Sequence, residues 1–188
     1  MTNTQSAFGA EYDSLADMVS FGMAPALVIF QWSLTDMGKF GWMVAFIYAA
    51  CGALRLARFN TQIGTQDKRY FQGLPSPAAA AIIAGWVWAG TSNDVSESMI
   101  AIFTIPITFG AAILMVSSMR YHSFKELDLR NRVPFVVMLV LVLIFALVAI
   151  DPPTILFSVF LIYGLSGPVF TLLKLRQHRS ERAQAKED

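Results

Sequence analysis

The feature that most constrains this chain is a succession of apolar runs, each approaching the thickness of a lipid bilayer. A membrane helix needs about 20 mostly apolar residues. Six runs qualify: Met18–Leu34, Phe40–Leu56, Pro77–Thr91, Ser98–Met119, Val133–Ile150 and Thr154–Leu173. The third is short, and the first is extended at its start by a polar helical turn. Backbone in hydrocarbon must satisfy its own hydrogen bonds, so the pattern predicts an all-α, polytopic bundle of about six transmembrane helices. Composition agrees: 55% of the 188 residues are hydrophobic and 14% are charged, against about 25% charged in ordinary soluble chains. So much apolar surface excludes intrinsic disorder. A balance of 14 Lys+Arg against 13 Asp+Glu excludes a nucleic-acid binder, which needs a basic excess.

Orientation follows from the basic residues. With the N-terminus on one side, thirteen of the 14 fall on that side, from Arg55 and Arg58 through Arg120 to Lys186, and only Lys39 falls on the other. By the positive-inside rule that side is cytoplasmic, both termini included. An odd number of spans would scatter these charges. Residues 1–173 read as one membrane domain, and 174–188 as a cytoplasmic hydrophilic tail that touches anionic headgroups weakly.

Most acids lie in loops or the tail, but Asp13 and Asp17 open the first span. Residues four apart share a helix face, so Gly9, Asp13 and Asp17 form one stripe with Ser20 a turn further. Two carboxylates so placed repel, and more strongly near lipid. A divalent cation is the simplest compensation, because hard cations take oxygen ligands. Two carboxylates are too few for a tight site, so further oxygens must come from elsewhere, substrate phosphates included. The alternative is that both acids sit in interfacial water, favoured by the positive end of the helix dipole.

Gly9-x-x-x-Asp13-x-x-x-Asp17 resembles the second half of the CDP-alcohol phosphotransferase signature, Asp-x-x-Asp-Gly-x-x-Ala-Arg followed by Gly-x-x-x-Asp-x-x-x-Asp. Three blocks resemble its serine-specific branch, the CDP-diacylglycerol–serine O-phosphatidyltransferases: Asp13–Ala26 (DSLADMVSFGMAPA), Ala53–Asn60 (ALRLARFN) and Phe71–Pro77 (FQGLPSP). The resemblance covers about residues 8 to 80. It implies a metal-dependent enzyme, using Mg2+ or Mn2+, that transfers the phosphatidyl group of CDP-diacylglycerol to the hydroxyl of L-serine and releases CMP. It implies Asp17 as the base and a possible metal ligand, Asp13 as a metal ligand, and Gly9 as the point where the nucleotide comes close. It also implies a homodimer among membrane lipids, in what reads as a bacterial cytoplasmic membrane.

The first half of the signature is absent before Gly9, where only Met1–Phe8 stand. The resemblance therefore implies that the chain begins at an internal methionine of a longer protein with further spans ahead. The 188-residue chain alone is then expected to be inactive or nearly so. The in-frame codons upstream of Met1 test this.

Arg55 and Arg58, three apart, share a face and can fork onto a lipid phosphate or the serine carboxylate; equally, they can snorkel to the interface. Gln72 and Ser76 offer hydrogen bonds in a Gly/Pro-rich turn, or Ser76 caps the helix at Pro77. Ser20 either lines the cleft or is a small packing residue. Cys51, the single cysteine, reads as a small buried hydrophobe, and His122 and His178 lack metal-ligand spacing. Trp32, Trp42, Trp86 and Trp88 read as an outer aromatic belt. Two other functions stay open: the same chemistry with glycerol phosphate, inositol or choline as acceptor, and a non-catalytic membrane subunit or transporter. The latter calls for acids near mid-membrane rather than at an interface.

Overall fold

The structure is a computed structural model and describes residues 7–61, 70–122 and 135–184. The first rod is composite. Helix α1 (Ala7–Asp17) runs into a π-helical turn (Met18–Met23), then α2 (Ala24–Ile29), a second π-helical turn (Phe30–Leu34) and a 3-10 turn (Thr35–Met37). Pro25 explains the first widening, since it has no N–H to donate to the carbonyl four residues back. That carbonyl, Phe21 O, instead accepts from the Tyr48 hydroxyl at 3.2 Å.

The rod lies on α3 (Lys39–Thr61), where two glycines allow the backbones together: a Cβ on Gly52 would stand 3.5 Å from the Gly22 Cα. Small residues at such crossings are how membrane helices gain packing without a hydrophobic driving force. Helix α4 (Ser76–Ser92) is the centre of the bundle, burying Ala78, Ala79, Ile82, Ile83, Trp86 and Ala89. It packs most extensively on α7 (Pro152–Gln184) and also on α5 (Glu97–Val116). Helix α6 (Phe135–Ile150) is apolar on all sides and largely exposed, as suits a peripheral helix facing lipid.

Among the described residues, four helical stretches are long and apolar enough to cross a bilayer: Glu11–Met37, Lys39–Thr61, Glu97–Val116 and Pro152–Leu173. Helix α4, of 17 residues, and the apolar stretch Val137–Ile150 are shorter. The six runs of the sequence thus correspond to six rods in an all-α bundle, and the chain is an integral membrane protein. Many of the charges behind the orientation, among them Lys68, Arg69, Lys125, Arg130 and Arg132, lie outside the described residues.

Two features depart from expectation. The segments read as plain loops after α3 and α5 contribute short strands, β1 (Tyr70–Gln72) and β2 (Arg120–His122), paired antiparallel with Phe71 opposite Tyr121. Trp86 does not belong to an interfacial belt. It is buried, donates from Nε1 to Thr104 Oγ1 at 3.0 Å and packs edge-on against Trp32, while Trp42 and Trp88 are exposed. An indole N–H deep in a bundle needs an acceptor, and Thr104 supplies it.

Candidate active site

The carboxylates and arginines singled out in the sequence meet at one end of the bundle: the start of the first rod, the C-terminal end of α3, the N-terminus of α4 and the C-terminal end of α5. Asp13 is exposed and Asp17 half-buried, one turn apart on α1. Asp17 lies within electrostatic range of both Asp13 and Arg55. A second carboxylate and a guanidinium therefore face the same small volume.

Arg55 is fixed on one side only. Its Nη1 donates to Ser76 Oγ at 2.6 Å, while its Nε is buried without a hydrogen-bond partner among the described residues. A buried charged donor left unpaired is costly, so this edge is suited to an anionic oxygen. Ser76 is 1% exposed and makes no cap bond to the helix it opens; the first position outside α4 is Pro75. The capping alternative for Ser76 is therefore replaced by a tie between α3 and α4. Arg58 turns elsewhere, donating from Nη1 to the Val116 carbonyl at 2.8 Å, one of the unsatisfied carbonyls that end α5. Gln72 is exposed on β1. Ser20 is exposed within the π-helical turn, whose wider winding breaks the simple four-residue stripe from Asp17. Gly9 lies exposed on α1, one helical step before Asp13.

Sequence reasoning missed a second tie. Ser14 Oγ donates to Asn60 Oδ1 at 3.2 Å, and Asn60 Nδ2 approaches Ser14 Oγ at 2.9 Å. With Arg55–Ser76, it joins all three blocks quoted above through side-chain hydrogen bonds. The signal was in the sequence: Ser14 stands between the two aspartates, and Asn60 closes the arginine block.

The ribbon closes the same end. Gly73, at φ 76°, donates its N–H to Met119 O at 2.8 Å, and Leu74 donates to Leu114 O at 2.9 Å. A Cβ at Gly73 would collide with the Met115 carbonyl, so this close approach demands glycine. Tyr121 leaves β2 to lie against Gly167, donating to Gly164 O at 2.8 Å and packing on Tyr163, with ring centroids 5.6 Å apart. Burial, with the neighbouring Tyr163, pushes the Tyr121 hydroxyl up to about 12. Tyr163 in turn lies within electrostatic range of Arg55. This links α7 to the site.

Among the described residues, no group of three or more His, Cys, Asp or Glu side chains is gathered in one place. Of the three carboxylates on α1, Asp13 and Asp17 stand one turn apart; their hard oxygens would fit a divalent cation only as a partial shell, with further ligands needed from outside.

Known proteins resemble this chain in sequence. The model of a family described as CDP-alcohol phosphatidyltransferase matches residues 1–110. A CDP-diacylglycerol–serine O-phosphatidyltransferase of Helicobacter pylori strain J99 is 32% identical over 183 residues, covering 97% of this chain and 77% of that protein. One of the same name from Mycobacterium tuberculosis H37Rv is 46% identical over 88 residues, 44% of this chain and 30% of that protein. An archaetidylserine synthase of Methanothermobacter thermautotrophicus is 36% identical over 114 residues, 61% of this chain and 45% of that protein.

Proposed function

Starting from the chain's membership of the CDP-alcohol phosphatidyltransferase family, we propose that it makes phosphatidylserine from CDP-diacylglycerol and L-serine. The names of the relatives above share serine and differ in the lipid moiety, which supports serine as the acceptor. The observation that carries the chemistry is the meeting, at one end of the bundle, of a carboxylate turn on α1 and an arginine on α3 whose Nε has no hydrogen-bond partner among the described residues. A site at the ends of the helices lets the lipid tails stay in hydrocarbon while diphosphate and serine meet in water. We place that end on the cytoplasmic side of a bacterial membrane and read the enzyme as a homodimer.

In this reading the serine hydroxyl oxygen bonds to the phosphorus that carries the diacylglycerol. The bond from that phosphorus to the oxygen bridging it to CMP breaks, and CMP leaves with the bonding pair. A hydroxyl is a weak nucleophile at neutral pH, and Asp17 takes its proton. A divalent cation, Mg2+ or Mn2+, would be held by Asp13 and Asp17 and would offset the charge of the diphosphate and the leaving CMP. Arg55 offers its free Nε edge to a phosphate or to the serine carboxylate, and Gly9 leaves room for the nucleotide. Arg58 and Ser76 hold the frame. Gln72 on β1 and Ser20 on the first rod are read as further substrate contacts.

The test is CMP release from CDP-diacylglycerol by the protein in membranes, made as the 188-residue chain and, if the gene has in-frame codons upstream of Met1, with those codons too. Serine should drive release in at least one form, and glycerol 3-phosphate, inositol and choline should not. Release driven by one of those acceptors instead would overturn the serine assignment, and no release with any acceptor would overturn the enzymatic reading.

A further inference from the structure

We propose that Asn60 is a positioning residue: through its two-way bond with Ser14 it sets the α1 turn bearing Asp13 and Asp17 against the arginine end of α3. The inference rests on the functional reading above and adds to it. Ser14 lies between the two aspartates on α1, and Asn60 lies five residues beyond Arg55 on α3. The pair is 46 residues apart in sequence, so nothing local holds it together.

The geometry makes this contact specific. Ser14 Oγ to Asn60 Oδ1 is 3.2 Å and Asn60 Nδ2 to Ser14 Oγ is 2.9 Å, so the amide presents both a donor and an acceptor to one hydroxyl. Arg58, two residues before Asn60 on α3, is committed to Val116 O at 2.8 Å. Below the latch, the rod and α3 touch through Gly22 and Gly52, and beside this crossing the Tyr48 hydroxyl donates to Phe21 O at 3.2 Å. One bond at the crossing still leaves the outer turns of α1 free to swing about it; the Ser14–Asn60 bond, about two turns above, removes that freedom. The element it fixes is the one that carries Asp13 and Asp17, and small displacements of catalytic groups are expensive.

The experiment uses the form of the protein that turns over, with Ser14→Ala, Asn60→Ala, the double variant and Asn93→Ala. Asn93 Nδ2 donates to Thr154 Oγ1 at 3.0 Å and ties α4 to α7 at the opposite end, so Asn93→Ala removes a comparable bond away from the site. Each latch variant should lower kcat/KM about tenfold, the worth of one lost hydrogen bond in the transition state. The double variant should be no more than about twofold below the worse single variant, because both remove one contact. Binding of Mn2+ alone to the purified protein, followed by loss of the free-ion EPR signal, should weaken in step in the latch variants and stay unchanged in Asn93→Ala. Multiplicative losses in the double variant, unchanged kcat/KM in the single variants, or unaltered Mn2+ binding would each overturn the latch. If the wild type fails with serine, the functional reading falls, while the Mn2+ series still decides the latch.

Discussion

Arg55 is where structural and chemical roles can be separated by arithmetic. Its Nη1 bond to Ser76 Oγ, 2.6 Å long, is made by a charged donor to a hydroxyl that is 1% exposed. Bonds to charged groups contribute about 1.5–3 kcal/mol, and an orphaned buried hydroxyl costs about 1–3 kcal/mol. Arg55→Ala should therefore destabilise the bundle by about 2–3 kcal/mol, chiefly because Ser76 is left without a partner. The double variant Arg55→Ala/Ser76→Ala removes the orphan and should recover most of that loss. Activity should not follow. If the free Nε edge binds an anionic oxygen of a substrate, kcat/KM should fall roughly 10- to 150-fold in the single and double variants alike. Arg55→Lys should sit between, since it keeps charge but loses the fork. Unfolding midpoints in detergent and CMP release in membranes, measured on the same preparations, give both quantities. The reasoning is refuted if activity returns with stability in the double variant, or if Arg55→Ala keeps kcat/KM within about threefold of wild type, less than the weakest such bond allows.

Asp13→Asn and Asp17→Asn should each reduce CMP release by roughly two orders of magnitude or more, in the range typical of lost acid–base or metal groups, and excess Mn2+ should rescue the former better than the latter. Gly73→Ala should destabilise by about 1–3 kcal/mol, because its side chain meets the Met115 carbonyl at a positive φ of 76°; an unchanged detergent unfolding midpoint would contradict the close approach. The Tyr121 hydroxyl, ordinarily near 10.0, is held near 12, so the folded protein retains a proton there that the unfolded chain gives up. Stability should be independent of this group below pH 10 and fall between pH 10 and 12, and Tyr121→Phe should lack that fall.

The spans, the all-α class and the shared end of the acids and arginines were legible because hydrophobic run length and basic-residue placement are one-dimensional properties. Trp86 was misplaced for the complementary reason: its partner Thr104 lies on the next helix, and nothing in a linear run marks it. The β1–β2 pairing was hidden because two strands of three residues each, separated by two helices, carry no alternation long enough to detect. The site was half visible. Asp13, Asp17 and Arg55 stood out through spacing and the family resemblance, but the partition of labour between Arg55 and Arg58 depends on which acceptor each meets across the bundle. Ser14 and Asn60 escaped because small polar residues in helices pass for solvent-facing or packing positions until a partner is seen.

The ribbon also imposes an order on assembly. Its strands flank the α4–α5 hairpin, so β1 cannot find β2 until that hairpin has crossed the membrane and returned. Tyr121 cannot dock on Gly164 and Gly167 until α7 has been synthesised and inserted. Closing such distant contacts is entropically slow compared with forming each helix. The mouth of the site is therefore the last part of the chain to mature. A nascent copy halted before α7 has its carboxylates and arginines in place, but no finished cover over them.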